Sequence, residues 1–170
     1  MFVLGIDPGL TRCGFGMVRR AGAGQVMTAE AAGVLETEPG TALPERLGAL
    51  QRELEALFDD LRPDVVAVER VFFQTNARTA MSVAQASGLA LALAARRNLA
   101  VVELTANEVK LALTGYGAAS KAQVQAMVAE LLGLAEVPSP PDAADALALA
   151  ITYLSAAPLR AALARSGVRG

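Results

Sequence analysis

Two short stretches of this chain are apolar throughout, and an acidic residue follows each of them. Residues 2–6 lead into Asp7, and residues 65–68 lead into Glu69. An uninterrupted apolar strand is typical of a sheet that helices cover on both faces. A carboxylate at the end of such a strand is costly to bury unless water, a partner or a cation compensates it. The two stretches therefore predict a layered α/β domain with an acidic site where its strands end.

The remaining pattern fills in that domain. Further strands are predicted at residues 13–19, 25–37 and 100–104, and helices at 43–61 and 76–97, from apolar spacing and from Gly and Pro breaks. Thr105 and Ser120 are typical N-caps of two more helices, and the prolines of residues 138–141 introduce the last helix. Three early strands followed by alternating helices and strands indicate an α/β fold with a mixed central sheet flanked by helices.

Composition excludes several kinds of chemistry. The chain has no histidine, so a histidine general base and an imidazole-ligated zinc are excluded. The single cysteine, Cys13, cannot form an internal disulfide, which fits a reducing cytoplasm. The longest uncharged stretch of the predicted core, residues 79–95, contains Ser, Gln and Gly, so we expect a buried or interface helix there and no association with a membrane.

A second acidic pair completes the candidate site. Asp142 and Asp145 are three residues apart at the start of the last predicted helix, so they share a face near the end that favours anions. Together with Asp7 and Glu69, at the carboxyl ends of two strands, they could form an oxygen-only cage for Mg²⁺ or Mn²⁺. Two such ions can activate a water and stabilise a leaving 3′ oxygen, which cuts a phosphodiester and leaves a 5′-phosphate. Taken singly, each aspartate is explained equally well as a cap, a turn residue or an exposed acid.

Charge is distributed unevenly along the chain, although the net charge is only −2. Residues 21–61 carry eight acidic side chains and two arginines, whereas residues 62–121 carry seven cationic side chains and four acidic ones. Such a chain can bind an anion on one face, but ordinary surface charge explains the composition equally well. The only two lysines, Lys110 and Lys121, flank the turn at residues 115–117, where point charges suit phosphate contacts.

Four segments in this order resemble the RuvC family of bacterial Holliday junction resolvases. They are GIDPGLTRCG (residues 5–14), VAVERVFF (66–73), VKLALTGYGAASK (109–121) and DAADALALAI (142–151). The likeness spans residues 2–154. It implies a ribonuclease H-like fold, a homodimer, and Mg²⁺- or Mn²⁺-dependent nicking, with two ions per site, of symmetry-related strands of four-way junction DNA. It also implies cooperation with the branch-migration proteins RuvA and RuvB.

The resemblance assigns roles to particular residues. The family's metal-binding and catalytic acids fall on Asp7, Glu69, Asp142 and Asp145, and its DNA-contacting lysines fall near Lys110 and Lys121. Phe72 occupies the position of an aromatic residue that stacks on junction bases, although from the residues alone a Phe packed under a loop is commoner. The less specific DNA-contact candidates are Phe73, Arg70 and Arg78.

Domain organisation and self-association are predicted from the same pattern. We expect a nuclease domain at residues 1–157 and a tail at 158–170 that is either disordered or in contact with DNA. The small side chains of the predicted helix 76–97 would let a second copy approach closely, and burial against its own sheet explains them equally well. A twofold dimer suits the activity, because one junction needs two cuts.

Two other functions compete with this interpretation. A ribonuclease H-like nuclease that acts on RNA would share the first strand and its aspartate. A non-catalytic scaffold that binds junctions would carry the acids for structural reasons. An actin-like ATPase or sugar kinase would need a second domain, for which 170 residues leave no room.

Overall fold

The computed structural model describes residues 1–22, 26–70 and 77–166, with side chains over 1–22, 26–70 and 80–157. The strands in these ranges are β1 (Phe2–Asp7), β2 (Arg12–Ala21), β3 (Val26–Glu36), β4 (Val65–Glu69) and β5 (Ala100–Leu104). The helices are α1 (Leu43–Leu61), α2 (Ala77–Arg96), α3 (Ala106–Thr114), α4 (Lys121–Leu132) and α5 (Pro141–Ser166).

The strands form one mixed sheet in the order β3-β2-β1-β4-β5. The first three strands are antiparallel neighbours, whereas β4 runs parallel to both β1 and β5. Because Ile6 of β1 pairs with Val68 of β4, Asp7 and Glu69 follow at the same edge of the sheet. The predicted mixed sheet is therefore confirmed, and so is the meeting of its two acid-bearing strand ends.

Strand β2 is longer than predicted at both ends. The charged residues Arg19 and Arg20 break the apolar pattern, but they still pair with Thr28 and Met27 of β3. Backbone hydrogen bonding to a neighbouring strand, which the hydrophobic pattern does not report, extends the strand.

Helices cover both faces of the sheet and enclose two separate cores. Helices α3, α4 and α5 pack on one face, around Val3, Val65 and Leu147. Helices α1 and α2 pack on the other, around Leu4, Val66 and Leu54. The described helices include none that is long and apolar enough to cross a membrane.

Helix α5 lies directly on β1 and β2 because glycines remove the side chains that would separate them. A Cβ on Gly5 would lie 1.9 Å from the backbone oxygen of Ala146, and one on Gly14 would lie 2.2 Å from that of Asp142. The facing positions of α5 are also small, and Ala143, Ala146 and Ala150 are buried. This contact brings the first turns of α5 to the edge where Asp7 lies.

The helix boundaries follow the predicted capping residues. The side chains of Thr105 and Ser120 each accept the backbone N–H three residues on, and a returning Glu108 or Gln123 side chain completes a capping box. Helix α5 begins at Pro141, which places Asp142 in its first turn rather than at the cap. Its backbone continues to Ser166, into the segment that the sequence assigns to the tail.

The contact between α5 and the sheet can be tested with one substitution. Gly5→Ala forces a methyl group against a backbone oxygen that cannot move independently of α5, so we expect the free energy of unfolding to fall by about 3 kcal/mol. Gly48→Ala is the matched control, because Gly48 lies within α1 and the new methyl would be 3.6 Å from the mobile end of Arg52. It should raise stability by about 0.5–1 kcal/mol. Urea unfolding measures both, and equal effects would contradict the close packing.

Candidate active site

Asp7 and Glu69 lie side by side at the ends of β1 and β4, close enough for their carboxyl groups to interact. Burial, followed by the negative charge of Glu69, raises the pKa of Asp7 to about 8. The more distant charges of Asp145 and Asp142 raise it further. Without a cation, Asp7 is therefore largely protonated at neutral pH.

Asp145 faces this pair from α5 and is bound by one of the two lysines. Lys121 donates from Nζ to Oδ2 of Asp145 at 2.5 Å. This hydrogen bond is the main cause of the raised pKa of Lys121, against a smaller opposing effect of burial. Lys121 is the first residue of α4, so the Ser120 capping box fixes the backbone from which it reaches Asp145.

Asp142 is held by an arginine that no sequence pattern singles out. Arg12, at the start of β2, donates from Nε to Oδ2 of Asp142 at 3.0 Å, and its guanidinium also contacts Glu36 at the end of β3. The partners Arg12 and Asp142 are 130 residues apart in sequence. No local spacing pattern could have revealed this pair. The one available signal was that Arg12 follows the Asp7 turn closely.

A cavity of about 250 Å³ opens where these elements meet. Its charged lining consists of Asp7, Glu69, Asp145, Lys110 and Lys121. The apolar part of its wall, also missed from the sequence, consists of Ala106, Val109, Val124, Ala148 and Leu149. Acidic and cationic groups in one partly apolar cleft can bind a cation and an anion together, and the low-polarity wall strengthens both interactions.

The type of ligand that the acids offer fits a hard divalent cation. Four carboxylates at one edge present only oxygen, which Mg²⁺ and Mn²⁺ prefer. Burial is the main cause of the raised pKa of Asp7, and the neighbouring negative charges raise it further; a dication would relieve that repulsion. As placed, no three acidic or cysteine residues in the described ranges converge closely enough to enclose a metal ion. Asp142 and Asp145 instead have cationic partners in Arg12 and Lys121.

The structure thus brings together five of the residues predicted from the sequence: Asp7, Glu69, Asp145, Lys110 and Lys121. Asp142 lies one turn away on α5, with Arg12. Arg70 is exposed directly after β4. Phe72, Phe73 and the side chain of Arg78 lie outside the described residues.

The raised pKa of Asp7 predicts how stability depends on pH without metal. The folded chain keeps a proton on Asp7 between about pH 4 and about pH 8 that the unfolded chain releases, so this group makes stability fall as pH rises. Asp7→Asn cannot ionise. We therefore expect the free energy of unfolding of the variant to rise relative to that of the wild type, by up to roughly 1 kcal/mol for each pH unit in that range. Urea unfolding in EDTA measures the difference, and a gap that does not change with pH would contradict the assignment.

Comparison with known proteins identifies the family. The family model described as crossover junction endodeoxyribonuclease RuvC matches residues 3–153. A RuvC of Frankia alni is 54% identical over 163 residues, covering 96% of this chain and 82% of that protein. A RuvC of Thermobifida fusca is 55% identical over 154 residues, covering 91% of this chain and 84% of that protein.

Solved structures agree with the sequence comparison. The structure of Thermus thermophilus RuvC is 36% identical, with a TM-score of 0.86 over 94% of this chain and 97% of that one. The same protein in complex with a Holliday junction substrate is 37% identical, with a TM-score of 0.87 over 94% and 96% of the two chains. The ribonuclease H-like fold expected from the resemblance is confirmed. By sequence and by fold, this chain belongs to the RuvC family of crossover junction endodeoxyribonucleases.

Proposed function

We propose that this chain is a metal-dependent endodeoxyribonuclease that resolves Holliday junctions by paired, symmetric nicks with 5′-phosphate ends, in recombination and DNA repair. The observation that carries the proposal is the meeting of Asp7, Glu69 and Asp145 with Lys110 and Lys121 in one cavity. It is supported by the curated relatives, which are crossover junction endodeoxyribonucleases, and by a similar structure that holds a Holliday junction substrate.

The acids are proposed to hold the cofactor. RuvC nucleases are metal-dependent, and we propose Mg²⁺ or Mn²⁺, two ions per site, with Asp7, Glu69, Asp142 and Asp145 as ligands. When bound, such ions activate a water and stabilise charge on the leaving oxygen. Asp7 must lose its proton before it can be a ligand, so binding should tighten as the pH rises towards its pKa of about 8.

The lysines are proposed to hold the DNA backbone next to the acids. Lys110 lies in the middle of α3 and Lys121 begins α4, so two helices fix two positive charges on the wall that faces Asp7. A phosphate placed between them would have its negative charge balanced while its phosphorus faces the carboxylates. Arg70, exposed beside Glu69, is a further phosphate contact, and Phe72, Phe73 and Arg78 remain DNA-contact candidates.

A homodimer would supply the second cut. In α2, the buried Ala86, Ala90 and Ala94 belong to the chain's own core, whereas Val83 and Ala84 remain partly accessible. We propose this accessible part of α2 as the self-association surface. RuvA and RuvB are proposed as partners, and the reducing cytoplasm as the location, where the buried thiol of Cys13 stays free.

Cleavage of a synthetic mobile four-way junction tests the function. With Mg²⁺ or Mn²⁺ the wild type should cut two strands at symmetric positions and spare linear duplex. Asp7→Asn should lose at least about a hundredfold in rate while it still binds the junction, because a metal ligand is removed and the lysines remain. The products are resolved on denaturing gels, and binding is measured separately in EDTA.

Two outcomes would overturn the assignment in different ways. Cleavage confined to RNA or to an RNA–DNA hybrid would keep the metal site and replace the substrate. Junction binding without cutting under either metal would favour the non-catalytic scaffold.

Removal of single lysines tests the phosphate contacts. We expect Lys110→Ala and Lys121→Ala each to weaken junction binding. Each should also reduce the slope of log affinity against log salt concentration by about one, because one counterion fewer is released on binding. Arg52→Ala is the matched control, since Arg52 is an exposed cation on α1, which covers the opposite face of the sheet. It should leave the slope unchanged. Equal slopes for all three variants and the wild type would remove the lysines from the interface.

A further inference from the structure

Tyr116 has an exposed aromatic ring in the connection between α3 and α4. Its relative accessibility is 63%, the highest among the exposed aromatic and large aliphatic residues of the described chain apart from Val26. The other described aromatic residues are buried or packed against a core: Phe2, Phe15, Phe58 and Tyr153. At this exposure most of Tyr116 is accessible to water, so its ring is available to a binding partner.

The backbone that carries Tyr116 is fixed on both sides. Thr114 Oγ1 accepts the backbone N–H of Tyr116 at 3.2 Å and donates to the carbonyl of Lys110 at 2.8 Å. The carbonyl of Tyr116 accepts the backbone N–H of Ala119 at 3.0 Å. The connection is therefore an ordered turn, and the ring is presented without a further cost of ordering the backbone.

Glycines on either side make this turn possible. Gly115 ends α3 in the left-handed region, with φ of 70°. A Cβ on Gly117 would lie 2.6 Å from the side-chain oxygen of Asn107. The chain therefore reverses tightly and leaves Tyr116 as the large side chain at its tip.

The turn joins the two helices that carry the cavity lysines. Lys110 is linked to Tyr116 through the Thr114 hydroxyl, and Lys121 follows the same connection at the start of α4. Both lysines line the cavity with Asp7. Tyr116 does not itself line the cavity, so it would contact a nucleic-acid strand that extends from the lysines past this turn.

We propose that Tyr116 is a DNA-contact residue that stacks its ring on a nucleobase of the junction strand held by Lys110 and Lys121. The inference rests on the proposed function, because it needs DNA on the lysines. Stacking on an aromatic ring accepts any base, since every base has a π face, and it depends little on salt. The lysines supply a salt-dependent attraction to the backbone, and Tyr116 fixes where the strand lies along it.

Affinity measurements in EDTA, where no cutting occurs, provide the first test. Tyr116→Ala should weaken binding of a synthetic four-way junction by about tenfold or more without changing the salt slope, and Tyr116→Phe should bind like the wild type, because the ring is kept. Leu111→Ala is the matched control, since Leu111 is also exposed, on α3 beside Lys110. It should leave affinity unchanged.

Fluorescence provides a second test that a purely structural role would not affect. The chain has no tryptophan, so Tyr116→Trp introduces a single indole at the proposed contact. Its emission should be quenched when the junction is added, whereas a single indole introduced by Leu111→Trp should change little. Thermal unfolding confirms that each variant is folded.

The outcomes separate this inference from the function on which it rests. If the wild type does not bind the junction, the proposed function fails. If the wild type binds but Tyr116→Ala binds equally well, or if the indole of the Tyr116→Trp variant is not quenched, the stacking contact is overturned. Reduced affinity in Tyr116→Ala, wild-type affinity in Tyr116→Phe and quenching at position 116 together establish it.

Discussion

The rest of the site depends on the close contact between helix α5 and strands β1 and β2. Gly5 and Gly14 let the helix backbone approach the strands within the space that a side chain would occupy. Asp145 therefore faces the Asp7–Glu69 pair, with Asp142 close beside it, although more than seventy residues separate Glu69 from α5. A larger residue at either glycine would push α5 away from the strands, so these glycines serve the site as well as the fold.

Bringing four carboxylates together costs stability, and the chain offsets part of that cost with its own cations. Asp7, with a pKa of about 8, stays largely protonated at neutral pH. Lys121 neutralises Asp145, and Arg12 neutralises Asp142. Each compensation uses a different group, so the charge balance does not rest on one interaction. The compensation is only partial, because Asp7 avoids ionising at neutral pH, and groups with strongly perturbed pKa values are typical of functional sites.

The features that the sequence predicts correctly are those that depend on residues close together in the chain. Local spacing predicts the apolar runs that end at Asp7 and Glu69 and the caps at Thr105 and Ser120, and the structure contains each of them. The pairing of Arg12 with Asp142 and the seating of α5 on Gly14 join residues far apart in the chain. Such contacts follow from tertiary packing, which periodicity does not encode.

The number of cationic side chains in a segment does not by itself show where an anion binds. The cationic excess of residues 62–121 can serve one anion-binding face or be ordinary surface charge, and Arg96 and Arg97 pair with Glu55 and Asp59 of α1 on the opposite face of the sheet. Part of that excess therefore holds two helices together.

The cationic side chains that remain at the cavity are Lys110 and Lys121, and Lys121 is already bound to Asp145. With so few charges, attraction to the DNA backbone alone would define position poorly, because phosphates repeat along the strand. Contacts that are not electrostatic must then set where the strand lies, and the exposed ring of Tyr116, in the connection between the two helices that carry the lysines, can provide one.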